Sequence, residues 1–366
     1  MKKYKIAIIG CGFVANGAGT GNQIHMPSLA KMQDEVEMVA FCDLIEEKAF
    51  KSAKEYGSSK AKVYTDYRDL LKDESIDIVD VCTPNKSHAE ITIAALQAGK
   101  HVYCEKPMAK TYADAVKMLE AAKRTGKKLT IGYQYRFRPD SWYLNKLCRR
   151  GDLGEIYFAK AHALRRRAVP TWGVFLNEEE QGGGALIDIG THALDMTLWM
   201  MDNYKPKSVM GSTYKKFAQQ TETGNFFGDW DRGKFTVEDS AFGFIKMEDG
   251  ATIYLEASWA LNILDAMEEK LTLCGTKAGA DMKEGLRINK ADMDKLLVTK
   301  PAVLPGGVEV FDVPPSPPPG ELFARSWIDC IKNNTEPVVL PEQALVVTEI
   351  LEAIYQSSKT GKAVYF

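Results

Sequence analysis

The stretch Tyr4–Ala15 reads "YKIAIIGCGFVA", and it decides how the first third of the chain folds. Tyr4–Ile9 is a short apolar run of strand length. It passes without a break into Gly10-Cys11-Gly12-Phe13-Val14-Ala15, which matches G-x-G-x-x-A between a strand and a helix. Glycine at 10 and 12 lets the backbone turn tightly and approach a pyrophosphate, whose charge the N-terminus of the following helix stabilises. Strand-to-helix turns also use glycine for steric reasons alone, so the pattern takes its weight from its surroundings.

Those surroundings repeat it. "VEMVAFCD", "AKVY", "IDIVDVCT", "KHVYCEK" and "KLTIGYQ" are apolar runs of strand length. Between them "AFKSAKEYG", "SHAEITIAALQAG" and "YADAVKMLEAAKRTG" carry apolar residues at helical spacing, with glycine after the last turn. Strands alternating with helices predict an α/β domain, a doubly wound parallel sheet, over residues 1–133. After about residue 134 the rhythm changes. "EIYFAKAHALRR" alternates like an antiparallel strand, and "GALIDIGTHALDMTLWMM" reads as one helix. "KSVMGSTYK", "EDSAFGFIKM", "ATIYLEASW" and "KLTLCG" read as consecutive strands. Residues 134–366 are therefore expected to form an α+β domain with a large, mostly antiparallel open sheet. The proline-rich Val313–Gly320 is expected to be an extended connector. Two helices follow it and are expected to pack back on the N-terminal domain.

With 366 residues, 45% of them hydrophobic and 26% charged, the chain has the make-up of a globular protein of two domains. Its 47 basic and 49 acidic residues leave a formal charge of −2, too little to draw in nucleic acid or an anionic membrane, so small-molecule chemistry is favoured. No apolar run is long enough to span a bilayer, and "MKKYKIAIIG" lacks the cleavage site of a secretory signal, so the cytoplasm is expected. Seven cysteines without a Cys-x-x-Cys pair argue against a disulfide framework and a structural zinc site, and no metal is expected.

The second strand ends in Asp43, where a dinucleotide fold places a carboxylate on the adenosine ribose hydroxyls; a plain strand-end turn is the other reading. Asp43 lies about 28 residues beyond Ala15 instead of roughly 20, and the loop-like Gly17–Gln23 accounts for the surplus. No cation follows until Lys48, with Glu46 and Glu47 intervening, so NAD is expected in preference to NADP.

Asp188 and His192 stand four apart in the predicted helix, behind Gly182, Gly183 and Gly184. A carboxylate beside a histidine suits an imidazole that takes a proton from an alcohol; a helix-surface ion pair or a core histidine would read the same. Lys106, in "CEKPMAK" (104–110), ends a buried strand. There its ammonium is either surface decoration or a charge placed to stabilise a developing alkoxide, with Pro107 restricting its backbone.

Together "GCGFVA", Asp43, "CTPNKSHAE", "CEKP", "GYQYRF" and "GGGALIDIGTHALD" resemble the glucose-fructose oxidoreductase, inositol dehydrogenase and rhizopine catabolism family, Gfo/Idh/MocA, along essentially the whole chain. The resemblance implies an NAD-binding Rossmann domain and a substrate-binding domain whose open sheet forms homodimers or homotetramers. It implies that Lys106, Asp188 and His192 line the active site. Thr83, Pro84, Asn85 and His88 match the cofactor loop, Glu105, Lys106 and Pro107 the catalytic turn, and Gln134 and Arg136 the loop into the second domain; Glu105, Lys106 and Gln134 are thereby expected at the cofactor and Arg136 at the substrate. Gly17–Gln23 departs from the family's direct passage from fingerprint into helix, so the resemblance assigns neither the phosphate contacts nor the role of His25.

On the substrate side, Trp172 is placed to stack on a sugar ring, and Arg165, Arg166 or Arg167 to bind hydroxyls or a carboxylate, although arginine runs are often simply solvated. Phe226, Phe227, Asp229 and Trp230 share a loop expected to cap a pocket or face another subunit. Three activities fit these residues. The leading one is NAD-dependent oxidation of a sugar, cyclic polyol or glycoside. The others are a glycoside hydrolase with retained NAD working by transient oxidation and elimination, and a dinucleotide sensor without turnover. A sensor has no need of Lys106, Asp188 and His192 together.

Overall fold

The computed structural model describes residues 3–17, 25–268, 270–301 and 317–366. The chain divides into two compact units, Met1–Phe137 with Pro317–Leu345 and Arg138–Ser316 with Val346–Phe366.

In the first unit six parallel strands, β1 (Tyr4–Ile9), β2 (Val36–Cys42), β3 (Lys62–Tyr64), β4 (Ile78–Val81), β5 (His101–Cys104) and β6 (Leu129–Ile131), lie in the order β3-β2-β1-β4-β5-β6. Helices cover such a sheet on both faces, which is why its strands are continuous apolar runs; Ile6, Ile8, Phe41, Val79 and Val102 are fully buried. The strand order reverses between β1 and β4, so the carboxyl ends of these two strands border a crevice of the kind that binds a dinucleotide. Where the sequence suggests a full helix after the glycine turn there is one turn, α1 (Phe13–Asn16). Apart from Gly17, the Gly17–Gln23 stretch lies outside the described residues, as do residues 313–316 of the proline-rich connector, whose last two residues, Pro319 and Gly320, already open a helix. The chain resumes with α2 (Met26–Leu29), then α3 (Glu46–Tyr56), α4 (Tyr67–Leu70), α5 (Asn85–Gln97) and α6 (Tyr112–Thr125). Thr111 caps α6 by accepting from the Asp114 N–H, and Gly126 ends it in the left-handed region.

The second unit adds α7 (Pro139–Arg150), α8 (Glu178–Gln181) and α9 (Thr191–Met201), and a sheet of nine strands. Its strands are β7 (Ile156–Leu164), β8 (Pro206–Tyr214), β9 (Ser240–Met247), β10 (Thr252–Ser258), β11 (Lys270–Gly275), β12 (Gly279–Asp281), β13 (Arg287–Asp292), β14 (Lys295–Thr299) and β15 (Val364–Tyr365). They lie in the order β14-β13-β12-β11-β7-β10-β9-β8-β15. The sheet is mostly antiparallel, but β7, expected as an antiparallel strand, is antiparallel to β11 and parallel to β10. Alternation reports which face a residue takes and carries no information on strand direction. α9 packs on β7 and β11 and is buried from Thr191 to Met200, so one face of the sheet is covered. The hairpin of β13 and β14 escaped the sequence reading because its turn residues, Met293 and Asp294, adopt positive φ without glycine or asparagine.

Two helices, α10 (Pro319–Asn333) and α11 (Pro341–Thr360), precede β15. α10 belongs to the first unit, where Phe323 stacks on Tyr103 at 4.6 Å and Glu321 pairs with Lys31 at 3.1 Å.

Candidate active site

In the first unit the glycine turn is shaped by its neighbours. Gly10 has φ +92°, and a Cβ on it would sit 2.7 Å from the Cys82 carbonyl carbon, so no other residue fits. At Gly12 a Cβ would meet nothing within 4 Å, which leaves the backbone open for close approach by a ligand. Phe13 is exposed, Val14 half-buried and Ala15 buried. Asp43 accepts hydrogen bonds from the Cys11 N–H (2.8 Å) and the Ile45 N–H (2.9 Å). Its carboxylate thus ties the end of β2 to the glycine turn. Leu44, Ile45, Glu46 and Glu47 are all exposed beside it.

Thr83, Pro84 and Asn85 follow β4, and the buried His88 fastens this loop to the next. One ring nitrogen lies 2.8 Å from the Thr83 carbonyl oxygen and the other 2.8 Å from that of Pro107, while burial pushes the pKa of the imidazole down. Thr83 Oγ1 and Gln134 Oε1 are buried with no hydrogen-bond partner among the described residues. Both residues were expected at the cofactor. Such orphaned atoms, together with the open backbone at Gly12, fit a bound dinucleotide. Arg136 is fully buried instead, donating to the Val338 carbonyl (3.1 Å) and the Gln343 side chain (2.6 Å). A guanidinium with no exposed surface holds the loop together and offers nothing to a solute.

Lys106 is half-buried after β5, followed by a cis bond to Pro107. Its N–H donates to Glu105 Oε2 at 3.2 Å. Behind the turn lies a group the sequence did not assign. His25 Nδ1 is 2.9 Å from Asp80 Oδ2, and His25 Nε2 is 3.0 Å from Glu105 Oε1. His25, Asp80 and Cys82 also place three donor atoms within 4.8 Å of one another. Burial drives the Cys82 pKa well up, and its thiol donates to Asp80 at 3.5 Å, while both His25 nitrogens are already engaged by Asp80 and Glu105.

In the second unit the helix carrying Asp188 and His192 is not regular. Leu186–Gly190 is a π turn in which the Thr191 N–H reaches back to the Leu186 carbonyl, and α9 follows directly. Such turns occur often at functional sites. Asp188 accepts from the Trp259 indole N–H at 3.0 Å, and His192 is buried. The preceding glycines make room for protein. A Cβ on Gly183 would lie 2.0 Å from the Tyr355 hydroxyl, and one on Gly184 would lie 2.0 Å from the Glu238 carbonyl oxygen. Glu238 caps the helix from a distant segment, accepting from the N–H groups of Gly184 (2.8 Å) and Leu186 (3.0 Å) and from the Tyr355 hydroxyl (2.9 Å). Trp259, Glu238 and Tyr355 carry no sequence signal, because each reaches the helix from far along the chain.

Burial pushes the Glu238 carboxyl up to about 7 from the ordinary 4.5, against the backbone donors of Leu186 and Gly184. The folded state then holds this proton more tightly than the unfolded chain. Its contribution to stability is full below the unfolded value and is lost as pH rises toward the folded one. Between these two values the protein is expected to lose stability with rising pH, and Glu238→Gln to flatten that slope in urea titrations run across the range.

Of the expected substrate residues, Arg165 donates to Glu268 at 2.6 Å and to the Ala168 carbonyl, whereas Arg166 is exposed. Arg167 stacks over Phe217 at 4.3 Å and donates to Asn262. Trp172 meets Phe227 edge-on at 4.7 Å, and Asn225 binds both the N–H and the carbonyl of Val169, so the aromatic loop is clasped to this segment. Trp230 is buried and donates to the Ala218 carbonyl, which makes it core instead of part of a cap. No helix among the described residues is long and apolar enough to cross a membrane.

Comparison with known proteins adds the following. Residues 4–133 match the family described as "Oxidoreductase family, NAD-binding Rossmann fold", and residues 142–281 match the GFO/IDH/MocA C-terminal domain. D-glucoside 3-dehydrogenase of Escherichia coli K12 is 35% identical over 360 residues, covering 98% of this chain and 97% of that one. Among solved structures, aldose-aldose oxidoreductase from Caulobacter crescentus superposes with a TM-score of 0.79 at 24% identity, covering all of both chains. Levoglucosan dehydrogenase in complex with NADH and L-sorbose does so with a TM-score of 0.83 at 21% identity, covering 100% of this chain and 99% of that one. These two likenesses are of fold.

Proposed function

The chain belongs to the GFO/IDH/MocA oxidoreductase family, and from that premise we propose that it is an NAD-dependent dehydrogenase oxidising a ring carbinol of a sugar, a cyclic polyol or, in first place, a glycoside. The observation that carries the choice of glycoside is its similarity to D-glucoside 3-dehydrogenase over nearly the full length of both proteins. NAD, when bound, supplies the hydride acceptor. The glycine turn at 10–15, Asp43, Thr83, Asn85 and Gln134 would hold it. His192 takes the proton of the substrate hydroxyl, and Asp188, itself fixed by the Trp259 indole, orients that imidazole. Lys106 stabilises the oxygen as negative charge builds on it. Arg166 and Trp172 are the side chains we assign to substrate.

Asp43 supports NAD over NADP, because a carboxylate on the ribose hydroxyls repels a 2′-phosphate and no cation follows it in the sequence until Lys48. The row Met210, Phe244, Tyr254 and Lys160 runs straight across β8, β9, β10 and β7 on the face of the sheet opposite α9. Phe244 and Met210 are about half exposed there, which supports a homodimer or homotetramer built on that face. All seven cysteines are free thiols, in keeping with a cytoplasmic protein.

The test is a panel of glucosides, free aldoses and inositols assayed by NADH absorbance with each cofactor in turn. Glucosides should give NADH in proportion to oxidised product, and kcat/KM should favour NAD by about tenfold or more, with Asp43→Ser narrowing that ratio. Product without accumulated NADH would point to the hydrolase, and equal use of NADP would overturn the role of Asp43.

A further inference from the structure

We propose that His25 is a positioning residue for Lys106, an imidazolium clamped between the ends of β4 and β5 that fixes the Lys106 turn through Glu105. The proposal rests on the reading of Lys106 given above.

The geometry is specific. Both ring nitrogens of His25 face carboxylate oxygens, Asp80 at 2.9 and 3.0 Å and Glu105 at 3.0 Å, and an ionised carboxylate only accepts. With both carboxylates ionised each nitrogen donates, and the ring carries a charge. All three side chains are buried. His25 also sits at φ +56°, ψ −121°, a strained backbone for a residue with a Cβ, so the surrounding structure holds the ring there at a cost. Tyr103 stacks on the ring at 4.8 Å and sets its plane.

Glu105 passes this order on. One of its oxygens binds His25 and the other accepts the Lys106 N–H at 3.2 Å. Its carboxylate lies so close to Gly132 that a Cβ there would be 2.6 Å from Oε1, which leaves it little freedom to turn. The charges also balance: two carboxylates, the imidazolium and the Lys106 ammonium sum to zero around one turn. Without His25, Asp80 and Glu105 would be buried carboxylates with no cation between them, and Glu105 would no longer be held. The titratable groups facing the ring are Asp80, Cys82, Tyr103 and Glu105. Burial alone would push its pKa down, but the charge on Asp80 raises it well above the usual histidine value.

Two measurements test this. In spectra of histidine-labelled enzyme at about pH 8, the signal that disappears in His25→Gln should have the imidazolium pattern. In kinetics, His25→Gln should lower kcat about tenfold or more with the KM for NAD nearly unchanged, yet cost less than about twofold in a Lys106→Ala background. A neutral ring at that pH, or an equal loss with and without Lys106, overturns the proposal. Lys106→Ala with full activity would instead overturn the reading of Lys106, and with it any positioning role, while the spectra still report the charge on His25. Should His25→Gln be insoluble, Asp80→Asn takes its place. Loss of the proton from His25 should lower kcat at alkaline pH, and Asp80→Asn, which removes the charge that raises the His25 pKa, should bring that fall to lower pH by about one unit; an unmoved profile counts against the clamp.

Discussion

Replacing Lys106 with alanine is expected to lower kcat by about 10²–10³ while leaving the affinity for NAD nearly unchanged. The ammonium acts on charge that exists only as the carbinol proton leaves, so its loss removes stabilisation from the transition state and little from the ground state. The turn that carries it is held independently, by Glu105 on one side and by His88 on the Pro107 carbonyl on the other, so the alanine variant should fold normally. Arginine should rescue poorly, because a planar fork does not occupy the place of a compact ammonium. Steady-state kinetics with a glucoside, alongside NAD titration, check this. A fully active alanine variant would make the Glu-Lys-Pro turn a structural element only.

The second large effect is expected at His192. Its alanine variant should lose about 10²–10⁴ in kcat, the range a positioned general base contributes, and recover part of that loss as pH rises and hydroxide takes the proton instead. Lys106→Ala should show no such recovery, since hydroxide does not replace a cation. The pH profiles of the two variants therefore separate a base from a charge stabiliser. Parallel profiles would remove the distinction drawn between them.

The parts of this molecule legible in the sequence are those encoded by neighbours in the chain. Tyr4–Ile9 followed by Gly10 and Gly12 specified a strand and a turn because periodicity and glycine are local signals, and Asp188 and His192 stood out through their spacing. What escaped depends on distant partners. Trp259 lies 71 positions from Asp188, and Glu238 lies 54 from Gly184, so neither contact leaves a pattern to read. His25 and Asp80 are 55 apart, so their contact leaves no local pattern either. Arg136 was misjudged for a related reason, since a charged residue suggests a ligand until the carbonyl that binds it, 202 positions away, is seen.

The π turn at Leu186–Gly190 makes this site more sensitive to the length of its helix than to much of its composition. Each residue of a regular α-helix advances about 100° around the axis, and the π turn absorbs one residue more than such a helix would hold over the same rise. Deleting Ile189 would let the backbone relax into ordinary α-helix. Asp188 and the glycine run before it would then be swung by about 100° relative to His192, with every side chain of the site still present. A reading-frame-preserving loss of one codon here would thus abolish activity with every catalytic side chain retained, and would turn the buried Leu186 and Ile187 out of their places in the core as well.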